Sequence, residues 1–141
     1  MTEEGSSAPE AQLIAQRMQK LAAIREMGVT PYPYKFQVTH TFGDIREAFE
    51  NLESLKTEVA VAGRLMVVRS HRKSAFADLR DETGRMQIYL KLDGVGDEAF
   101  QLWKLLDIGD FIGVTGPVFR TRTDEMTVRV GKLVLLSKAI R

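Results

Sequence analysis

Between Gly63 and Ala77 the chain carries four basic side chains, Arg64, Arg69, Arg72 and Lys73, and no acidic one, with Phe76 near the end of the run. A strip of this kind attracts phosphate, and a ring beside it can stack on a base. Farther along, Gln87 lies between Met86 and Ile88, so strand alternation turns its side chain away from theirs. A primary amide offers a donor and an acceptor together, which suits it to reading a base edge. Arg120 and Arg122 alternate ahead of Glu125, a carboxylate that can accept from a base amine. Each residue also has a plainer fate. Phe76 can be a core ring, Gln87 a hydrated strand-face amide and Glu125 a hydrated turn residue, and the two arginines can track phosphates or simply face water.

Enzyme chemistry finds no comparable foothold. The chain has no GxxxxGK[ST] phosphate loop, no GxGxxG, no HExxH and no GxSxG. Asp78, Asp81 and Glu82 cluster, but at a turn where carboxylates are ordinarily hydrated. With no cysteine, thiolate chemistry, disulfides and Cys-based metal sites are excluded. His40 and His71 are the only two histidines, too few for a protein-only transition-metal cage. No catalytic residue, metal site or cofactor is therefore assigned to this chain.

The elements that must position these residues follow from periodicity. At 141 residues and 44% hydrophobic the chain fits one folded domain. Residues 1–11 hold Gly5, Ser6, Ser7 and Pro9 with three glutamates and read as a flexible acidic tail. Leu13, Ile14, Met18, Leu21, Ile24 and Met27 then recur at helical spacing and predict one amphipathic helix ending at Gly28. Leu13, Met18 and Leu21 can pack inward or against another copy. The prolines of VTPYPYKF predict an extended connector, and Phe42 to Leu55 a short second helix capped by Thr41. No segment is apolar over the roughly 18 residues a membrane helix needs, and MTEEGSSAPE has no signal-peptide character, so the expectation is a cytoplasmic protein without membrane contact.

The pattern changes beyond residue 57. Residues 1–57 carry 6 basic and 8 acidic side chains, and residues 58–141 carry 14 and 11, which places the positive excess in the second part. There EVAVAGRLMVVR, SAFADLRD, RMQIYLKL, DFIGVTGPVF and MTVRVGKLVLL read as five strands. Asp81-Glu82-Thr83-Gly84 signals a hairpin between the second and third. A helix over Gly96 to Asp107 separates the third from the fourth. Five strands with a helix between the third and fourth describe an all-β OB-fold Greek-key barrel over residues 58–141, preceded by a helical extension and connector over 12–57. Gly63, Gly113 and Gly116 fall where a small barrel bends.

The strings GRLMVVRSHRKSAFADLRDETGRMQIYLK and LLDIGDFIGVTGPVFRTRTDEMTVRVGKLVLLSKAIR resemble the N-terminal anticodon-binding region of bacterial-type lysyl-tRNA synthetases, class II enzymes. RMQKLAAIREMGVTPYPYKF is similar to the helix and connector that precede it. The resemblance spans roughly residues 12–141, and IREMGVTPYPYKF, DIGD and LLSKAIR point to lysine within the aspartate, asparagine and lysine group. It implies that the barrel binds the anticodon loop of lysine tRNA. It also implies Arg69 as a base or phosphate contact, Phe76 as the stacking ring, Gln87 as the reader of the central uridine and Glu125 as the acidic loop contact. Asp124 stands where a glycine is common in the family, and SHRK replaces a less charged turn.

The resemblance further implies a class II catalytic domain, with its ATP and Mg2+, that would follow Arg141, and a homodimeric full-length ligase. The expectation for this chain alone is therefore RNA recognition without lysine activation. Two other classes stay open on sequence: a general single-stranded nucleic-acid-binding OB-fold, and a barrel whose charged strip is only surface.

Overall fold

A computed structural model describes the backbone of residues 3–26 and 36–139. The first element, α1 (Glu3–Glu26), takes in most of residues 1–11, the stretch expected to be a flexible tail. In its second half Leu21 and Ile24 are buried, whereas Leu13 and Met18 are exposed. The predicted connector lies, apart from Phe36, outside the described residues, as does Gly28.

The second helix is two short ones, α2 (Phe42–Glu47) and α3 (Phe49–Ser54), meeting at Ala48. Thr41 caps α2 as expected. Its hydroxyl accepts from the Asp44 amide while the Asp44 carboxylate accepts from the Thr41 amide, a reciprocal capping box. The Asp44 carboxyl is held below the usual range by those hydrogen bonds with Thr41, the backbone one first. Phe42, Ile45, Phe49 and Leu52 bury one face, each large apolar side chain contributing about 1.5–3 kcal/mol relative to exposure.

The remainder is a seven-stranded sheet. Its strands are β1 (Val59–Ser70), β2 (Ser74–Asp81), β3 (Gly84–Lys91), β4 (Phe111–Gly116), β5 (Val118–Arg120), β6 (Met126–Arg129) and β7 (Lys132–Ser137). Their hydrogen-bonded order is β5-β6-β3-β2-β1-β4-β7. The expected closed barrel of five strands is thus corrected to an open order of seven. The physical reason is local: Pro117, which lacks an N–H, interrupts the fourth predicted strand, and Val130 and Gly131 interrupt the fifth. Each long segment consequently contributes one strand to each end of the sheet. Backbone bonds from Arg129 N to the Pro117 carbonyl, 2.8 Å, and from Gly131 N to the Thr115 carbonyl, 2.7 Å, cross the break. A Cβ on Gly116 would collide with the Arg129 carbonyl, so this crossing requires glycine.

The hairpin forms where expected, with Asp81 opposite Gly84 and Gly84 at φ +133°. Asp81 is no idle turn carboxylate. One oxygen accepts from the Thr83 amide and hydroxyl, and the other from the Phe42 amide at 2.9 Å, which ties the hairpin to the start of α2. The helix between β3 and β4 is also two pieces, α4 (Leu92–Val95) and α5 (Asp97–Lys104), broken at Gly96, whose φ of +92° is a conformation that favours glycine. Phe100, Leu102 and Trp103 of α5 are buried.

A buried ion network fastens the two ends of the domain. Lys138 Nζ, fully enclosed, lies 2.7 Å from Asp110 and 2.8 Å from Asp107, and Lys20 of α1 reaches Asp107 at 2.6 Å. Asp110 also accepts from the amides of Asp107 and Ala139. The DIGD and LLSKAIR strings therefore meet in space, and they recruit α1 to the same point. Burial acts to raise the Asp107 carboxyl, but hydrogen bonds from Lys138 and Lys20 outweigh it, and the net shift is downward.

Candidate nucleic-acid interface

One open face of the sheet gathers four of the nine predicted site residues, Arg69, Phe76, Gln87 and Arg122. Directly opposed residues on neighbouring strands share a face, and one row across four strands reads Arg69, Phe76, Tyr89, Arg129. The next row, two residues along each strand, reads Val67, Asp78, Gln87, Thr127, Phe119. Two rings between two guanidinium groups thus adjoin a carboxamide.

A bulge makes this possible. The β1–β2 register slips between Leu65 and Val67, so Met66 is the extra residue. Leu65 is buried, and uninterrupted alternation from it would also turn Arg69 inward. The bulge reverses the phase and delivers Arg69 to the face of Phe76 and Gln87.

These side chains border a groove of about 640 Å³. Four cations line it, Arg69, Lys91, Arg122 and Arg129, with no carboxylate among the lining residues. Phe76 is half-buried, and its centroid lies 4.8 Å from that of Tyr89 at a 42° tilt. Phe119 meets Tyr89 edge-on at 6.2 Å. The Arg129 guanidinium sits 4.8 Å from the Phe119 centroid and 5.6 Å from that of Tyr89.

Gln87 is 9% exposed, so its place at the groove is not that of a freely hydrated amide. Its Oε1 accepts from Arg69 Nη2 at 3.0 Å, and its Nε2 donates to Thr127 Oγ1 at 2.9 Å. The Thr127 hydroxyl in turn donates to the Glu125 carbonyl at 3.0 Å, so it must accept from Gln87. Arg69 has only donors to offer. Both ends of the amide are therefore fixed in one orientation, leaving one N–H and one oxygen lone pair uncommitted.

The remaining predicted residues spread outward. Glu125 pairs with Arg85 at 2.8 Å, and Arg85 also binds Asp78, which lies 3.7 Å from Arg69. Asp124 adopts φ +67°, the left-handed region that glycine enters freely and aspartate tolerates. That accounts for a turn in which glycine is common, and Asp124 there reaches Arg120 at 3.4 Å. Arg120 lies over the Phe49 ring at 4.7 Å and pairs with Glu50, away from the groove. Arg64 donates to the Gly109 carbonyl at 2.9 Å and borders a different, more apolar cleft with Phe36, Met66 and Phe111. Arg72 and Lys73 are exposed in the β1–β2 loop, and Arg72 with His71 borders a small cleft against Trp103 and Lys104 of α5.

Tyr89, Lys91, Phe119 and Arg129 were not predicted. The signal for the first two was present, because alternation from Gln87 puts Tyr89 and Lys91 on its face. Phe119 and Arg129 depend on the break at Pro117 and on the parallel pairing of β6 with β3, which no local pattern announces.

A sheet face with adjoining aromatic rings, flanking cations and an oriented amide has the elements that single-stranded nucleic-acid-binding modules use. A family model described as OB-fold nucleic acid binding domain, of the tRNA anticodon type, matches residues 59–136, and the chain belongs to that family. Its relatives include lysine--tRNA ligases. It is 49% identical over 132 residues to the lysine--tRNA ligase of Moorella thermoacetica, covering 94% of this chain and 27% of that protein. It is 45% identical over 130 residues to that of Enterococcus faecalis, covering 89% and 26%. Against that of Thermotoga maritima it is 44% identical over 131 residues, again 89% and 26%. The chain spans about a quarter of the length of the curated relatives it matches.

Proposed function

We propose that this chain recognises the anticodon loop of lysine tRNA in support of aminoacylation by a lysine--tRNA ligase. The observation that carries the reading is the fixed carboxamide of Gln87 beside the row Arg69, Phe76, Tyr89, Arg129. A uracil edge presents an acceptor, O4, beside a donor, N3–H. Gln87 retains one donor and one acceptor to match them. Cytosine presents the reverse order, and a reversed amide would lose the bonds to Arg69 and Thr127. The central base is then read by Gln87 and stacked on Phe76. Arg69 fixes the amide and meets phosphate, Arg122, Arg72 and Lys73 draw in the backbone, and Glu125 borders the loop.

In this reading residues 58–141 are the anticodon-binding unit and residues 12–57 its extension. The whole ligase adds a class II catalytic domain that uses ATP and Mg2+, pairs as a homodimer and works in the cytoplasm where tRNA is charged. Among the described residues no three His, Asp or Glu side chains group closely enough to hold a metal ion. Among the described residues, too, no helix is long and apolar enough to cross a membrane.

The reading is tested by titrating the chain with a lysine anticodon hairpin and with an unrelated hairpin of equal length, at two salt concentrations. Tighter binding of the lysine hairpin at both salts supports it. Equal affinities that fall together with salt identify a general single-stranded binder instead.

A further inference from the structure

One cation, Arg85 of β3, joins two carboxylates beside the base-reading amide, and the inference it carries rests on the anticodon reading. Arg85 Nη2 reaches Glu125 at 2.8 Å, and its Nη1 reaches Asp78 Oδ1 at 3.2 Å. The same Asp78 oxygen lies 3.7 Å from Arg69 Nη2, the nitrogen that donates to Gln87 at 3.0 Å. Asp78 and Gln87 are directly opposed in the β2–β3 pairing, so a carboxylate and an amide compete for one guanidinium. Arg85 itself borders a separate small cleft, with Arg46, Arg120 and Glu125.

A carboxylate accepts a hydrogen bond from a guanidinium roughly twice as strongly as a neutral amide does. The Asp78 side chain is 14% exposed, which leaves it little contact with water. Without a second cation it would draw Arg69 away from Gln87. We propose that Arg85 is a positioning residue for base selection: by engaging Asp78 it leaves Arg69 on Gln87. Its bond to Glu125 anchors the other end of the guanidinium and neutralises a carboxylate that would repel phosphate. Arg85 acts on the base through Arg69 and Gln87, and its loss has two separable effects, one on selectivity and one on affinity.

The test titrates the whole chain with two lysine anticodon hairpins, carrying uridine or cytosine at the central position. Wild type, Arg85→Gln, Arg85→Met, Asp78→Asn and the double variant Arg85→Gln/Asp78→Asn are compared, with folding checked by thermal melting. The Arg85 side chain is 43% exposed, and the bond from Arg46 to the Arg85 carbonyl does not depend on it. Both Arg85 variants should bind both hairpins more weakly, because Glu125 is left unpaired. Their uridine-over-cytosine ratio should also fall, by about threefold or more. Adding Asp78→Asn must bring that ratio back toward wild type, by more than Asp78→Asn changes it alone, while the general weakening persists.

An unchanged ratio in folded Arg85 variants overturns the proposal. So does a lost ratio that Asp78→Asn leaves lost, which marks distortion of the sheet and not competition for Arg69. Unfolding of both Arg85 variants overturns it as well, since the ion pairs would then secure the fold itself. A wild type without uridine preference defeats the anticodon reading, whatever Arg85 does.

Discussion

Arg69 Nη2 donates to Gln87 Oε1 at 3.0 Å, reaching from β1 to β3 over the Asp78 carboxylate that lies between them. The bond sets which end of the amide is the acceptor, and the Thr127 hydroxyl confirms that orientation from the other side. Base selectivity and phosphate attraction therefore meet in one pair of side chains. A bulge one turn of pleat away decides whether that pair forms at all.

Replacing Arg69 should accordingly do two things. In Arg69→Met the amide loses its anchor, so preference for a central uridine falls by about 1–2 kcal/mol, comparable to losing one directional base contact. The salt dependence of binding also shallows by about one unit of slope. A phosphate-only role would change the slope and leave the preference intact. Hairpin titrations across a salt series separate the two.

Phe76 is half-buried, with its neighbours on the core side, Ala75 and Ala77, already enclosed. The Phe76→Ala chain should therefore stay folded while losing about 1–3 kcal/mol of RNA affinity. A melt together with a titration checks both halves. Unchanged affinity in a folded variant removes the ring from the site.

The turn at Asp124 makes a stability prediction independent of RNA. An L-residue at φ +67° bears a strain of about 1 kcal/mol that aspartate partly relieves through local hydrogen bonding and glycine avoids. Asp124→Ala should lower stability by about 1 kcal/mol, and Asp124→Gly should leave it within about half of that. Urea unfolding of the three chains gives the comparison. Equal stabilities of the alanine and glycine variants would show that the turn imposes no such constraint.

Acid should loosen the ion network. The Asp107 carboxyl is shifted below its ordinary value because the bonds from Lys138 and Lys20 outweigh burial. A carboxyl lowered in the folded state stabilises the fold fully above its unfolded value of about 4, and that contribution is lost as pH falls through the lower folded value. Stability of the wild type should therefore drop as pH falls below about 4. Asp107→Asn should be less stable at neutral pH and show a flatter acid limb. Parallel acid limbs in the two chains would contradict the assignment.

Most elements were legible because their patterns are local. Thr41 with Asp44, the Asp81–Gly84 turn and the alternation of β2 and β3 each specify their geometry within a few residues. What escaped depends on distant pairing. The bulge at Met66 leaves no mark in the alternation of VVRS, yet it places Arg69. Pro117 and Gly131 were read inside continuous strands, whereas the missing N–H of Pro117 divides one strand into two with different partners. Arg64 and Arg120 look equivalent to Arg69 and Arg122 in sequence, but the Gly109 carbonyl and the Phe49 ring engage them elsewhere. Gln87 was found by alternation, while its enclosure by Arg69 and Thr127 needed three strands in register.

The central claim is that a fixed Gln87 amide reads the central uridine. The most direct test measures wild type and Gln87→Leu against two lysine anticodon hairpins that differ only by uridine or cytosine at that position. The account predicts that wild type prefers uridine by about tenfold or more and that Gln87→Leu binds both alike, with affinity still falling with salt. A uridine preference that survives intact in Gln87→Leu would contradict it.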